Sequence, residues 1–174
     1  SEEAFDIALR HDLALIGVSD VHELIDWDYK PHEGGHRPVT LIFTSDRSID
    51  SMKEALFDRR TVVWFKNLLI GRKEHLLPLL EASISITSMK YLKSTSLAQI
   101  TIQNKSDAKF KLKNLSDFTF METGDLIEIP PHKTIILTVK LPKKTTSLSL
   151  PFEIINSLVK PKRHAKITLK AALD

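Results

Sequence analysis

Ser19, Asp20 and His22 follow directly on the six-residue apolar run Leu13–Val18 in the stretch LALIGVSDVH. A hydroxyl, a carboxylate and an imidazole that close an apolar run are the residue types of a metal or acid–base site. Asp20 and His22 are two apart, so on an extended chain their side chains leave the same face. A carboxylate and an imidazole converging at the C-terminal end of a buried strand make half of a metal centre. That end is also where parallel-strand enzymes place their chemistry. A surface turn is the plain alternative for a lone Asp-x-His.

The next candidates lie in the polar stretch that follows, up to Arg37. His32 and His36 are four apart and flank Gly34-Gly35, and Arg37 follows. Guanidinium matches phosphate geometry, so His36 and Arg37 are candidate substrate-binding residues; a loop with solvated or hydrogen-bonded histidines is the alternative. Asp26 and Asp28 flank Trp27, with Tyr29 beyond. The acids read as loop structure. The aromatics read as packed side chains that order the loop, or as stacking surfaces for a base or sugar. His75 lies on a helical face and His132 follows Pro130-Pro131 in a turn, and both read as structural. No Gly-rich phosphate loop, Ser/His/Asp order or zinc-finger spacing occurs in the sequence.

Elements must hold these residues in place. Glu2–His11 predicts a helix with Ala4, Phe5, Ala8 and Leu9 on one side and acids in its first turn. Leu13–Val18 predicts a strand buried on both faces, and the long loop Ser19–Arg37 follows. Pro38–Phe43 predicts a strand and Ile49–Arg59 a helix capped by Ser45 or Ser48. Thr61–Phe65 predicts a strand, Asn67–Gly71 a turn or cap, and Arg72–Leu80 a helix. This alternation is the rhythm of a parallel α/β sheet or barrel.

From Glu81 the rhythm changes. About eight short alternating stretches, separated by turn signals such as Asn104–Asp107 and Pro130-Pro131-His132, predict an antiparallel, immunoglobulin-like sandwich. The charge changes with it. Up to Leu80 acids outnumber bases 14 to 10, and from Glu81 bases lead 15 to 8, within a net charge of +3. The fold class is therefore α/β plus all-β, with domains at 1–80 and 81–174. The lysines of the second half alternate along strands, as in KFKLKN, which predicts solvated strand faces over a nucleic-acid surface. The absence of cysteine excludes disulfides and thiolate metal sites. No apolar run reaches the roughly 20 residues of a membrane span. The chain opens inside a helical pattern with no initiator Met, which reads as a fragment of a longer protein.

The first half resembles the PHP family, the polymerase and histidinol phosphatase domain. Its last metal motif is typically a strand followed by Gly-Ser-Asp-Ala-His. Gly17-Val18-Ser19-Asp20-Val21-His22 is similar to that motif with one residue inserted. GVSDVHELIDWDY, GGHRPVTLIF and RRTVVWFKNLLIGRKEHLLPLLEASI are similar to the C-terminal part of PHP-type phosphoesterases of Bacteroidetes-like bacteria, in which a small β domain follows. The resemblance implies the last strands and helices of a distorted (β/α)7 barrel. It implies two or three divalent metals (Zn, Mn or Fe) in the intact protein, and a phosphate ester hydrolysed by metal-activated water. It carries Asp20 and His22 over as metal ligands. The family's His-x-His motif and its middle Glu and His ligands have no counterpart in this sequence. The chain alone is therefore expected to be inactive, and its open barrel to associate with the missing N-terminal half or with a second copy. A non-enzymatic binding or assembly module acting through the sandwich is the rival reading.

Overall fold

A computed structural model describes residues 1–93 and 95–174. The chain divides into two compact units, Ser1–Leu76 with Ser157–His164, and Leu77–Asn156 with Ala165–Asp174.

The first unit opens with helix α1, Glu2–Arg10. The Ser1 hydroxyl accepts from the Ala4 amide, Glu2 and Glu3 sit in the first turn, and Phe5 and Ala8 are buried. Each feature fits a short helix held by its caps and one apolar stripe. Leu13–Val18 then departs from expectation, because it forms no strand. A strand needs a neighbour's backbone, and the polar contact recorded at Gly17 is to a side chain. The Thr40 hydroxyl accepts from Gly17 N at 2.9 Å and donates to Gly17 O at 3.2 Å. Leu13, Ile16 and Val18 are 52, 59 and 73% exposed. The loop beyond contains helix α2, Ile25–Tyr29, and a single 3-10 turn, Pro31–Glu33.

Strands β1 (Val39–Ile42), β2 (Thr61–Phe65) and β3 (Leu68–Gly71) follow, with helix α3 (Ile49–Phe57) between β1 and β2. Helix α4, Lys73–Ser83, comes next and runs on into the second unit. The parallel pairing expected from the alternation is corrected among these three strands, while Leu69 and Ile70 of β3 pair in parallel with Ser157 and Leu158. β1–β2 and β2–β3 are antiparallel, in the registers Val39↔Trp64 to Ile42↔Thr61 and Val62↔Gly71 to Phe65↔Leu68. The reason is local. Phe43 N donates to Arg60 O at 3.0 Å, so the chain re-enters the sheet beside the point where it left, and α3 sits inside a closed loop. The stretch read as a turn, Asn67–Gly71, is the second arm of a hairpin whose turn is Lys66-Asn67, with Lys66 at φ 53°.

The turn into α3 is built on Asp46. Its carboxylate accepts from the Ser48 amide at 2.7 Å and the Ser51 hydroxyl at 2.9 Å, while the Ser48 hydroxyl caps the helix at Ser51 N. The bonds from Ser48 come first, then that from Ser51, and together they lower the Asp46 carboxyl from 3.8 to about 2. A lowered carboxylate favours the folded state above its ordinary value, and that contribution disappears as pH falls through the folded value. In acid-titrated thermal melts, Asp46→Asn is expected to be less stable than wild type above pH 3.8, with the gap closing towards pH 2. A gap independent of pH over that interval would refute the assignment.

The second unit is a sandwich of two antiparallel sheets. One has the order β4 (Ile84–Tyr91), β5 (Leu97–Asn104), β9 (Thr134–Lys140), β7 (Thr119–Phe120). In the other, β6 (Phe110–Asn114) pairs β8 (Leu126–Ile129) on one side and β10 (Ser147–Lys160) on the other, and β11 (Arg163–Ala172) pairs β10. Eight strands among the described residues match the expected number. Period-two patterning made them readable: alternate residues of β5 are buried along its whole length. Met89, Ile100, Ile102, Phe110, Leu112 and Phe152 are among the fully buried side chains of the core.

Candidate functional site

The residues singled out by the sequence lie in the first unit, on the loop between Gly17 and β1. The segment carrying them is fastened at three points. Thr40 grips Gly17 through both its amide and its carbonyl. A Cβ at Gly17 would stand 2.6 Å from Val63 Cγ1, so the close approach to β2 requires glycine here. The Tyr29 hydroxyl donates to Ser19 O at 3.2 Å, and its ring meets Phe65 edge-on at 6.2 Å. His36 packs on Trp64 with centroids 4.2 Å apart. Its Nδ1 lies 2.7 Å from Arg37 O and its Nε2 3.0 Å from Lys66 O.

Between the first two fastenings and the third, the loop folds on itself. Glu33 N and Gly35 N both donate to Lys30 O. A Cβ at Gly35 would stand 1.8 Å from Tyr29 O, so the second glycine is dictated by the backbone it crosses. The first, Gly34, has φ 85°.

Asp20 and His22 are both exposed. Asp20 has φ 50°, a left-handed conformation, so the chain is not extended there and the same-face argument does not apply. A carboxylate and an imidazole are donors suited to Zn, Mn or Fe. Two donors do not hold a cluster, and among the described residues no three His, Cys, Asp or Glu side chains come together as a metal site.

His36 has both ring nitrogens at backbone carbonyls, and a neutral ring can donate to one of them at a time. The ring acts as a clip between two stretches of main chain, with Arg37 and Lys66 exposed on either side. Trp27 is 67% exposed, which corrects the expectation that it packs, while Tyr29 is half-buried. His32 and the acids Asp26 and Asp28 are exposed, and His32 stands 3.7 Å from Glu33. His75 stacks on Phe43 at 5.9 Å, and His132 bonds Asp107 at 2.7 Å. Sequence reasoning missed Thr40 and Lys66. Thr40 carries no signal of its own. Lys66 carries none either, because it lies in the hairpin turn past the paired residues of β1 and β2.

Among the described residues no helix is long and apolar enough to cross a membrane. Comparison with known proteins gives two relationships. Residues 84–170 match a family described as an Ig-like domain. The whole chain is similar to a solved two-domain protein from Bacteroides vulgatus that contains a predicted PHP-like metal-dependent phosphoesterase. That likeness has a TM-score of 0.86 and 29% identity, and covers 97% of this chain and 49% of that one. This chain therefore spans about half the length of that relative. No curated protein matches.

Proposed function

The chain belongs to the Ig-like domain family through residues 84–170, and from that premise we propose that the residues before it are the C-terminal part of a PHP-like phosphoesterase. One observation carries the reading. This chain aligns over 97% of its length, at TM-score 0.86, with about half of a two-domain protein described as containing a predicted PHP-like metal-dependent phosphoesterase. In the intact protein the last strands of a (β/α)7 barrel would lead into Asp20 and His22. These two residues would supply a carboxylate and an imidazole to a centre of divalent metals whose other ligands lie outside this sequence. The metal would supply an activated water and charge stabilisation for phosphate-ester hydrolysis. Thr40 and Tyr29 would hold the segment in place, since they grip Gly17 and Ser19 on its approach to Asp20. The exposed Leu13, Ile16 and Val18 fit a strand waiting for a neighbour's backbone.

The chain on its own is expected to be inactive. After incubation with Mn or Zn and desalting, it should retain well under one metal per chain. A polypeptide extended by the upstream half of the PHP-like fold should retain metal and hydrolyse a phosphomonoester. Asp20→Ala/His22→Ala in that polypeptide should lose both. Metal content and activity unchanged by the double substitution would refute the assignment. The rival reading, a binding or assembly module acting through the sandwich, is favoured by the extent of the family match, which covers residues 84–170 alone. Defined oligomers formed by that region, with no activity in the extended protein, would support it.

A further inference from the structure

We propose that the first unit holds a binding site for a phosphomonoester dianion, in a groove walled by α1, the first turn of α4 and the end of β10. The groove has a volume of about 430 Å³, and every residue lining it belongs to that unit. The site uses none of the residues of the loop carrying Asp20 and His22, so it is independent of the phosphoesterase reading. Four cations line the groove: Arg10 from α1, Arg72 just before α4, Lys73 at its first position and Lys160 at the last position of β10. Two acids, Asp6 and Glu74, line it with them. Four cations against two acids leave two positive charges, the complement of a phosphate dianion.

The cations differ in how far they are already engaged. Arg10 pairs with Asp6 at 2.7 Å. Arg72 is the fixed one, with a side chain only 17% exposed. Its Nη2 donates to Ala8 O at 3.2 Å and Leu13 O at 3.1 Å, and lies 3.1 Å from Asp12 Oδ1. All three contacts use one nitrogen, while Nε of the same guanidinium is buried and has no acceptor. A buried N–H without a partner is costly, and a phosphate oxygen in the groove is an acceptor of the kind it lacks. Lys73 and Lys160 are exposed, and among the described residues neither pairs with a carboxylate. Lys73 also opens α4, where a cation opposes the helix dipole and an anion beside it offsets both. A guanidinium held in place matches the geometry of phosphate oxygens, and two ammonium groups add point charges that can follow the ligand. Leu9, Val159 and Pro161 complete the lining. Their apolar surface suits the body of an ester over a bare ion.

The test is calorimetric titration of the whole chain with phenyl phosphate, in a constant chloride background and without added metal. Saturable binding of one ligand per chain is expected, tighter than that of inorganic phosphate, which has no apolar body. Lys73→Gln and Lys160→Gln should each weaken binding several-fold, and the pair together roughly tenfold, with melting temperature unchanged. Glu74→Gln should tighten binding several-fold, because it removes an acid that opposes the ligand. A merely structural role for these residues would not move affinity in that direction. Lys53→Gln, on α3 and outside the groove, should bind as wild type does. Binding weakened as much there as in Lys73→Gln would mean diffuse attraction to surface lysines and would overturn the proposal. Asp20→Ala/His22→Ala should also bind as wild type does, and binding lost in that variant would place the ligand on its loop and overturn the groove as the site. Inorganic phosphate bound as tightly as phenyl phosphate, or no gain in Glu74→Gln, would overturn it as well. If phenyl phosphate binds through Lys73 and Lys160 while the extended protein holds no metal, the phosphoesterase reading fails and the groove site stands.

Discussion

Phe152→Ala is expected to lower the unfolding free energy of the second unit by about 3–5 kcal/mol. Phe152 is wholly buried in β10, opposite Asn114 of β6, and its ring lies 6.1 Å from that of Phe120. The fully buried Leu150 and Ile154 leave the same face of β10 on either side of it. Truncation removes the transfer energy of an aromatic ring and leaves a cavity that two rigid sheets cannot close by relaxing. Phe152→Leu keeps most of the volume and is expected to cost less than half as much. Urea unfolding followed by far-ultraviolet circular dichroism measures the difference. A cost for Phe152→Ala below about 1 kcal/mol would mean that the site collapses freely, and the packing described for this core would be wrong.

The patterns that were readable in the sequence are those a residue shares with its close neighbours. Period two in LAQITIQN and in the β11 stretch is visible because a strand half-buried in a sandwich alternates whatever its partner. α1 is visible because Ser1, the acids and the apolar stripe all lie within one helix length. Leu13–Val18 predicts a buried strand that does not form, because an apolar run names neither the neighbour that would pair with it nor the one that would cover it. The direction of β1 and β2 was misread for a related reason. An intervening helix implies a crossover only if the chain returns to the far end of the sheet, and the Phe43–Arg60 bond brings it back to the near end. Pro151 sits inside the 14-residue β10, a place where proline is uncommon in a paired strand.

The site divides along the same line. Asp20, His22, His36 and Arg37 could be named from residue type. What holds them could not: Thr40 reaches Gly17 across 23 residues, and His36 reaches Lys66 across 30. The conformation at Asp20 was equally hidden, since a left-handed aspartate leaves no mark on its neighbours.

A repeat ten residues long accounts for the second large effect. Asn104-Lys105-Ser106-Asp107 and Asn114-Leu115-Ser116-Asp117 flank β6, and both turns are wired alike. In each, the asparagine Oδ1 accepts from the serine amide and hydroxyl two residues on. Each Nδ2 then donates across the turn: Asn104 to Ala108 O at 2.7 Å and Pro130 O at 2.9 Å, Asn114 to Phe118 O and Asp125 Oδ1, both at 3.1 Å. Asn104 is 1% exposed and Asn114 7%. Removing a buried side chain that satisfies several polar groups leaves them without partners in low dielectric, at about 1–3 kcal/mol for each group stranded. Asn104→Ala is therefore expected to cost about 3 kcal/mol. Asn114→Ala should cost less, because one of its partners is a carboxylate side chain and the site is more open to water. Asn104→Asp is the sharper test. It keeps the acceptor for Ser106 but turns the Nδ2 position into an oxygen facing the carbonyls of Ala108 and Pro130. It should destabilise at least as much as alanine at pH 7 and recover in acid, once the carboxyl can donate again. Should Asn104→Asp fold as well as wild type at neutral pH, the Nδ2 donations would not be what fixes this turn.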